Sequence, residues 1–82
     1  MSLVELQVAS EKTVGTKETR KSLEQDRAKA VFVARDAEEH VVRRVIDLSK
    51  QKSVPVIFVE SMLELGRACG ISVGAATAAI VD

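Results

Sequence analysis

The stretch Ala30–Ala34, with the sequence Ala-Val-Phe-Val-Ala, is the expected central strand of this chain. It is a run of small, β-branched and aromatic residues between charged residues, which is typical of a central strand that is covered on both faces. A second apolar run spans Val54 to Val59. Pro55 is compatible with a strand there, because the start of a strand tolerates a missing N–H donor. These two runs predict two strands separated by a helical segment.

Helical patterns surround both strands. The clearest predicted helix runs from about Ala37 to Gln51, with Asp36 as its N-cap. Its buried stripe is expected to contain Val41, Val42, Val45, Ile46 and Ser49. Shorter helices are predicted from the start of the chain to near Glu11, from Lys17 to Asp26 with Thr19 and Leu23 inward, and after Ser61, the expected N-cap of the last helix.

Two further extended segments complete the pattern: a short one at Lys12–Val14 and a last strand at Ala75–Val81. Helices and strands therefore alternate along residues 1–82, which we interpret as one domain. Alternation predicts a three-layer α/β/α sandwich with a central mixed sheet of about four strands, because the connecting helices must cover both faces. The loops after Val14, Ala34 and Val59 are expected at one edge of that sheet.

Composition excludes several classes of protein. Hydrophobic residues make up 46 % and charged residues 29 % of the 82 residues, as in a folded soluble domain. The 12 basic and 12 acidic residues cancel, so no overall field attracts polyanions. Cations are locally in excess between Lys12 and Lys29, so a nucleic-acid contact should be local, with a moderate salt dependence. Phe32 and Phe58 are expected in the core, which argues against a platform of stacked aromatic rings.

Reactive groups and targeting signals are sparse. One cysteine, Cys69, and one histidine, His40, allow no internal disulfide and no zinc site, and we predict no cofactor and no enzymatic activity. The N-terminus is acidic where a signal peptide would be basic, and the apolar tract Ile71–Val81 is too short to span a membrane. We therefore expect a cytoplasmic protein.

The segment Val14–Lys21 carries charges that are hard to explain by structure alone. Gly15 permits a close approach, and Thr16 is a good N-cap for the helix that follows. Lys17 and Lys21 share a face beside the free N–H groups of the helix start, which together favour phosphate binding. These residues alone do not separate anion binding from a solvated helix start with incidental lysines.

Four segments in order along the chain resemble the kink-turn RNA-binding ribosomal proteins, the L-seven-Ae and L-thirty-e superfamily, in its compact bacterial form. They are Gly15–Lys21 (GTKETRK), Ala34–Glu38 (ARDAE), Val59–Ser61 (VES) and Leu65–Ile71 (LGRACGI) followed by Val73. No single motif is decisive, but four in register make coincidence improbable. Members of this family bind RNA that bends sharply at a three-nucleotide bulge beside tandem sheared G·A pairs.

The resemblance assigns roles to the start of the second helix. Gly15, Thr16 and Lys17 are expected at the RNA bend, with Gly15 and Lys17 near its backbone or bases. The Glu18 carboxylate is expected to accept hydrogen bonds from guanine N–H groups, and Lys21 to hold phosphate. Lys17 stands where the family often has asparagine, which should add a phosphate contact and remove an amide.

The resemblance also implies a second set of RNA-binding residues. Glu38 and Val42 match positions that line a pocket for an extruded nucleotide, and Ile71, Ser72 and Val73 match an apolar loop that rests on flipped bases. In this chain, Val73 and Gly74 stand where other family members have a more polar or proline-bearing loop. Met62 stands where many members have lysine. We expect the same class of RNA, with an altered preference among individual bends.

The expected partner is structured RNA containing a kink-turn, with the ribosome as one candidate location and a monomer as the expected state. An alternative from a different class is a protein–protein interaction module that uses the apolar loop Ile71–Ala76 as a docking patch. An enzymatic function would have to use His40 or Cys69, for which a structural role is the simpler explanation.

Overall fold

A computed structural model of the protein describes residues 2–82. Within these residues, helices and strands alternate without exception. They are α1 (Leu3–Val8), β1 (Lys12–Val14), α2 (Thr16–Glu24), β2 (Ala28–Ala34), α3 (Glu39–Gln51), β3 (Val56–Val59), α4 (Met62–Ala68) and β4 (Thr77–Val81). The strands form one four-stranded mixed sheet in the order β1-β4-β2-β3. The predicted three-layer sandwich with a mixed sheet is confirmed.

The direction of the strands determines where the loops meet. β2 and β3 are parallel, whereas β4 runs antiparallel to both β1 and β2. The C-terminal ends of β1, β2 and β3 therefore lie at the same edge of the sheet as the start of β4. We call this edge, formed by residues 14–18, 35–38, 60–62 and 70–77, the loop edge. It agrees with the expectation that the loops after Val14, Ala34 and Val59 lie together.

Strand β2 separates two hydrophobic cores because its side chains alternate between the faces of the sheet. Ala30, Phe32 and Ala34 pack into the core that contains Leu6 of α1 and Leu65 of α4. The intervening valines of β2 pack into the core formed with α2 and α3. The continuous apolar run of β2 is thus explained by burial on both sides, as its sequence predicts.

Helix ends differ from the sequence expectations where side chains intervene. The Lys12 ammonium donates hydrogen bonds to the carbonyls of Leu6 and Gln7 at 3.1 and 3.0 Å, so α1 ends at Val8 and not near Glu11. In α3, Val42, Val45 and Ser49 are buried as predicted, but Val41 is exposed. None of the helices in residues 2–82 is long and apolar enough to cross a membrane.

The predicted cap of α3 was wrong. Glu38 occupies the N-cap position of α3, and its side chain makes no capping hydrogen bond. The Asp36 carboxylate instead accepts a hydrogen bond from the backbone N–H of Met62 at 2.8 Å, at the start of α4. The same helix start has the predicted Ser61 cap, whose hydroxyl accepts from the N–H of Glu64 at 3.1 Å. Two side chains, one from a distant loop, therefore stabilise the start of α4.

The expectation that Phe58 is a core residue was also wrong. Its side chain is 46 % exposed, because β3 lies at the open edge of the sheet. The Arg35 guanidinium lies 5.4 Å from the centroid of the Phe58 ring, a distance at which a cation–π interaction is favourable. Phe32, on the interior strand β2, is fully buried as predicted.

Candidate nucleic-acid interface

The first turn of α2 leaves its backbone donors free of side-chain caps. Gly15, and not the predicted Thr16, is the N-cap residue, so this expectation was wrong. Gly15 has φ 94° and ψ 158°, a region of backbone conformation that is essentially restricted to glycine. The first intrahelical bond is donated by Thr19 to the Gly15 carbonyl at 3.0 Å. The N–H groups before Thr19 therefore have no acceptor within the helix, and a glycine cap supplies none.

Charged side chains surround these donors. Lys17, Glu18 and Lys21 are all exposed. The helix dipole and the two ammonium groups favour an anion beside the first turn. The Glu18 carboxylate accepts but cannot donate hydrogen bonds, so it selects N–H groups of a ligand. This helix start therefore combines groups that attract an anion with one exposed hydrogen-bond acceptor.

A second element of the loop edge begins where α4 ends. Gly70 has φ 81°, a left-handed conformation that favours glycine, and its N–H donates to the Arg67 carbonyl at 3.0 Å. The Ile71 N–H donates to the Gly66 carbonyl, also at 3.0 Å. These two bonds form a Schellman motif, which reverses the chain and directs Ile71 onto the core that contains Leu65. The loop that follows therefore leaves the helix in a defined direction.

The loop 71–76 is held closely against the helix beneath it. A Cβ atom at Gly66 would lie only 2.0 Å from the Val73 carbonyl oxygen, so only glycine allows this approach. The Ala75 N–H donates to the Met62 carbonyl at 3.0 Å. Ser72 is exposed, and Val73 is 65 % exposed. The loop therefore exposes Val73 to solvent, while contacts with α4 fix the loop backbone at both ends.

Hydrogen bonds join this loop to the start of α2. The Gly15 N–H donates to the Thr77 carbonyl at 2.9 Å, immediately after the loop. The Thr77 hydroxyl donates to the Thr16 hydroxyl at 3.5 Å. Glu18 and Ile71 consequently lie at the same edge of the sheet and not on opposite sides of the molecule. The predicted neighbourhood of a carboxylate, two amines and an apolar loop is present.

Glu38 and Val42 occupy different environments. The end of β2 is joined to the loop by a hydrogen bond from the Ala34 N–H to the Ala76 carbonyl at 2.9 Å, which places the loop after β2 at the same edge. Glu38 is exposed in that loop, with its carboxylate 3.4 Å from Nδ1 of His40. Val42 is only 5 % exposed and lies in the core shared with α2. Glu38 is open to a ligand, whereas Val42 offers only a small part of its surface.

The sequence did not reveal two structural residues of this edge. Asp36 joins the loop after β2 to the start of α4, and Gly66 allows the loop 71–76 to rest on that helix. The regular spacing of Gly66, Gly70 and Gly74 was the available signal. From the sequence alone this spacing indicates only turns or helix ends, because it does not show which backbone atoms each glycine approaches in the folded chain.

The reactive side chains form no catalytic arrangement in the described part of the chain. Burial raises the pKa of the Cys69 thiol, against a smaller lowering by the nearby Lys12 ammonium. The thiol is therefore protonated at neutral pH and a poor nucleophile. His40 is exposed beside Glu38. No group of three or more His, Cys, Asp or Glu side chains in residues 2–82 could hold a metal ion.

The structure is that of an α/β/α domain in which a helix start and a glycine-bounded loop lie together at one edge of the sheet. Residues 2–82 match the ribosomal protein L7Ae/L30e/S12e/Gadd45 family. The chain belongs to this family, which confirms the resemblance found in its sequence motifs.

Relatives of the chain include bacterial and archaeal proteins. It is 46 % identical over 80 residues to an RNA-binding protein of Halalkalibacterium halodurans, with 98 % of each chain covered. It is also 46 % identical over 68 residues to the large ribosomal subunit protein eL8 of Halobacterium salinarum, covering 82 % of this chain and 57 % of eL8. The 15.5kD RNA binding protein of Giardia lamblia has a similar structure, with a TM-score of 0.86, 28 % identity, and coverage of 98 % of this chain and 68 % of that chain.

Proposed function

We propose that this protein is a noncatalytic, cytoplasmic RNA-binding protein that recognises kink-turn RNA as a single domain and as a monomer, with ribosomal RNA as one candidate target. The observation that carries the proposal is the position of Glu18 beside the loop 71–76 at one edge of the sheet, linked through the Gly15–Thr77 hydrogen bond. The names of its relatives support RNA as the ligand.

Recognition of the sheared pairs falls to the start of α2. Lys17 and Lys21 neutralise phosphates on either side of the bend, and the free N–H groups of the helix start add donors to the same anions. Glu18 accepts hydrogen bonds from the N–H donors that a sheared guanine exposes. A carboxylate fits this task because it accepts hydrogen bonds from the N–H donors of a base edge, which differ between bases. A cation contacts phosphate oxygens, which are the same in every sequence. Gly15 and Thr16 allow the RNA backbone to approach.

The apolar loop completes the recognition of the bend. Val73 is exposed, so it can contact the face of an unstacked base, while half-buried Ile71 supports it from the core side. Ser72 adds a hydroxyl to the same surface. Because the loop backbone is already fixed by the Ala75–Met62 and Ile71–Gly66 hydrogen bonds, little ordering entropy opposes binding.

The extruded bulge nucleotide is assigned to the surface beside Glu38. Its carboxylate is exposed and can accept hydrogen bonds from the base, after release of the weak contact with His40. Val42 forms the floor beneath this position and contributes a small apolar contact, in keeping with its low exposure. Shape of the RNA supplies much of the specificity, because few side chains read bases.

The proposal is tested with two RNAs that differ only in the G·A pairs. One carries a three-nucleotide bulge beside tandem G·A pairs, and in the other these pairs are replaced by Watson–Crick pairs. Glu18→Ala should weaken binding of the first RNA by about 1 to 3 kcal/mol and reduce discrimination between the two. Lys21→Ala should reduce the slope of log affinity against log salt by about one, with little change in preference.

Glu24→Ala provides the matched control, since Glu24 is an exposed glutamate at the other end of the same helix. It should leave both affinities unchanged. Binding is measured by filter retention or fluorescence anisotropy across a salt series. Equal affinity of the wild-type protein for both RNAs would refute kink-turn recognition, and an equal effect of Glu24→Ala would refute the role of Glu18.

The docking-patch alternative rests on the exposure of Val73. Of the segment Ile71–Ala76, Ala75 is buried and Ile71 and Ala76 are half-buried, so the exposed apolar area is small. A protein partner that binds after charge reversal of Lys17 and Lys21, with no RNA recovered from purified protein, would favour this alternative. Loss of the partner together with RNA would count against it.

A further inference from the structure

Strand β3 leaves one edge of the sheet open. It is the terminal strand of the sheet and pairs with β2. The Val31 N–H donates to the Pro55 carbonyl at 2.9 Å, so Pro55 faces β2 and does not block the outer edge. Alternation along a strand then directs the backbone N–H and C=O groups of Val56 and Phe58 outward. The strand itself carries no charge, so it lacks the usual protection against strand addition.

An apolar groove runs beside this open edge. The cavity between α1 and β3 has a volume of about 460 Å³, and Leu3, Val4 and Ile57 contribute its apolar surface. Val4 lines the groove and is 63 % exposed. An exposed apolar groove next to unpaired strand groups is the arrangement that accepts an extended peptide.

The charge at the groove defines its occupant. Glu60 and Glu64 line one side, and no lysine or arginine lines it in the described part of the chain. Arg35 approaches Glu60 at 3.7 Å, but both side chains are exposed, so this pair is weak and leaves the carboxylate available. A second copy of β3 would bring Glu60 together with Arg35, the cation already beside it, and so would add no net positive charge to the groove. The groove therefore fits a basic segment better than it fits its own edge strand.

We propose that the groove and the open edge of β3 bind an extended segment of a partner protein, in which an apolar side chain enters the groove and flanking lysine or arginine side chains pair with Glu60 and Glu64. The backbone of the segment adds to Val56 and Phe58 as a further strand. Side chains two residues apart lie on the same face of such a strand, so an apolar residue with a cation two positions before it and another two positions after it matches the groove. This interaction is independent of the proposed RNA recognition.

The test uses the full chain labelled with nitrogen-15 and the peptide acetyl-Lys-Thr-Ile-Thr-Lys-amide, whose isoleucine and two lysines share one face of an extended strand. The control peptide has glutamate in place of each lysine. The basic peptide should shift the amide resonances of Val4, residues 56–60 and Glu64 in a saturable manner, and the acidic peptide should not. Absence of saturation, shifts centred elsewhere, or equal binding of the acidic peptide would overturn the proposal.

Two variants of α1 make the test specific. Val4→Lys places a cation in the groove and should weaken binding of the basic peptide by about fivefold or more. Val8→Lys is the matched control, because Val8 lies one turn further along the same helix, is 76 % exposed and does not line the groove. Circular dichroism establishes that both variants fold. An equal loss in both variants, or a wild-type dimer that Val4→Lys dissociates, would overturn the proposal.

Discussion

Replacing Gly66 with alanine probes how tightly the loop 71–76 rests on α4. The new Cβ would lie 2.0 Å from the Val73 carbonyl oxygen and 3.0 Å from its carbonyl carbon. Close C···O contacts in proteins are about 3.3 Å, so the loop or the helix must move by more than about 1 Å. The backbone atoms that meet the Cβ cannot rotate away as a flexible side chain could.

The expected cost combines opposing contributions. Alanine in a helix is favoured over glycine by about 1 kcal/mol. Against this, forcing an extra carbon into a packed site costs about 1 to 3 kcal/mol. Displacement of the loop also weakens the Ile71–Gly66 and Ala75–Met62 hydrogen bonds, each with a net value of about 1 kcal/mol. We expect Gly66→Ala to lower the free energy of unfolding by about 1 to 3 kcal/mol.

Thermal unfolding followed by circular dichroism measures this loss, and for a chain of this size each kcal/mol lowers Tm by about 4 to 8 °C. Gly70→Ala is the control, because a Cβ there meets no atom within 4 Å and the cost arises from φ alone. Amide shifts of Ser72 and Val73 should move strongly in Gly66→Ala and weakly in Gly70→Ala. A Gly66→Ala protein as stable as the wild type, with unchanged loop resonances, would refute the close packing.

Three further predictions concern the same edge of the sheet. Asp36→Ala should lower the free energy of unfolding by about 1 kcal/mol in urea denaturation, whereas Asp36→Asn, which keeps an acceptor for the Met62 N–H, should retain most of it. Gly15→Ala should lower the free energy of unfolding by about 1 to 3 kcal/mol, because residue 15 has a positive φ. D-alanine at this position, introduced by chemical synthesis, adopts positive φ readily and should restore stability. A steric clash of the Cβ atom would prevent that recovery, but no atom lies within 4 Å of it. Burial raises the pKa of the Cys69 thiol in the folded protein, so the thiol of the unfolded chain ionises first, above about pH 8.5. The free energy of unfolding should therefore fall with rising pH in the wild type but not in Cys69→Ala. Urea denaturation at several pH values measures this difference.

Local sequence patterns were sufficient for the layers of this fold. The apolar run Ala30–Ala34 predicts an interior strand because only burial on both faces accounts for consecutive apolar side chains, and the structure has β2 there. The periodicity of α3 likewise identifies Val42, Val45 and Ser49 as buried. Ser61 could be recognised as a cap because the N–H it accepts from lies three residues away.

Errors arose where the partner of a residue is distant along the chain. Asp36 precedes a helix and matches a local cap, yet its carboxylate bonds to Met62, 26 residues away. Phe58 lies in an apolar run, but its exposure depends on the order of strands, which leaves β3 at the open edge. Neither outcome could be read from neighbouring residues, because strand order and long-range hydrogen bonds depend on which surfaces meet after collapse.

The candidate site divides in the same way. Residue type and spacing alone predict the charges of Lys17, Glu18 and Lys21 at a helix start and the glycine-bounded apolar loop. Their proximity depends on the folded chain, because the Gly15–Thr77 hydrogen bond joins segments that are far apart in sequence. The tertiary structure also decides that Val73 is exposed and Val42 nearly buried, since exposure is a property of the packed molecule and not of the chain.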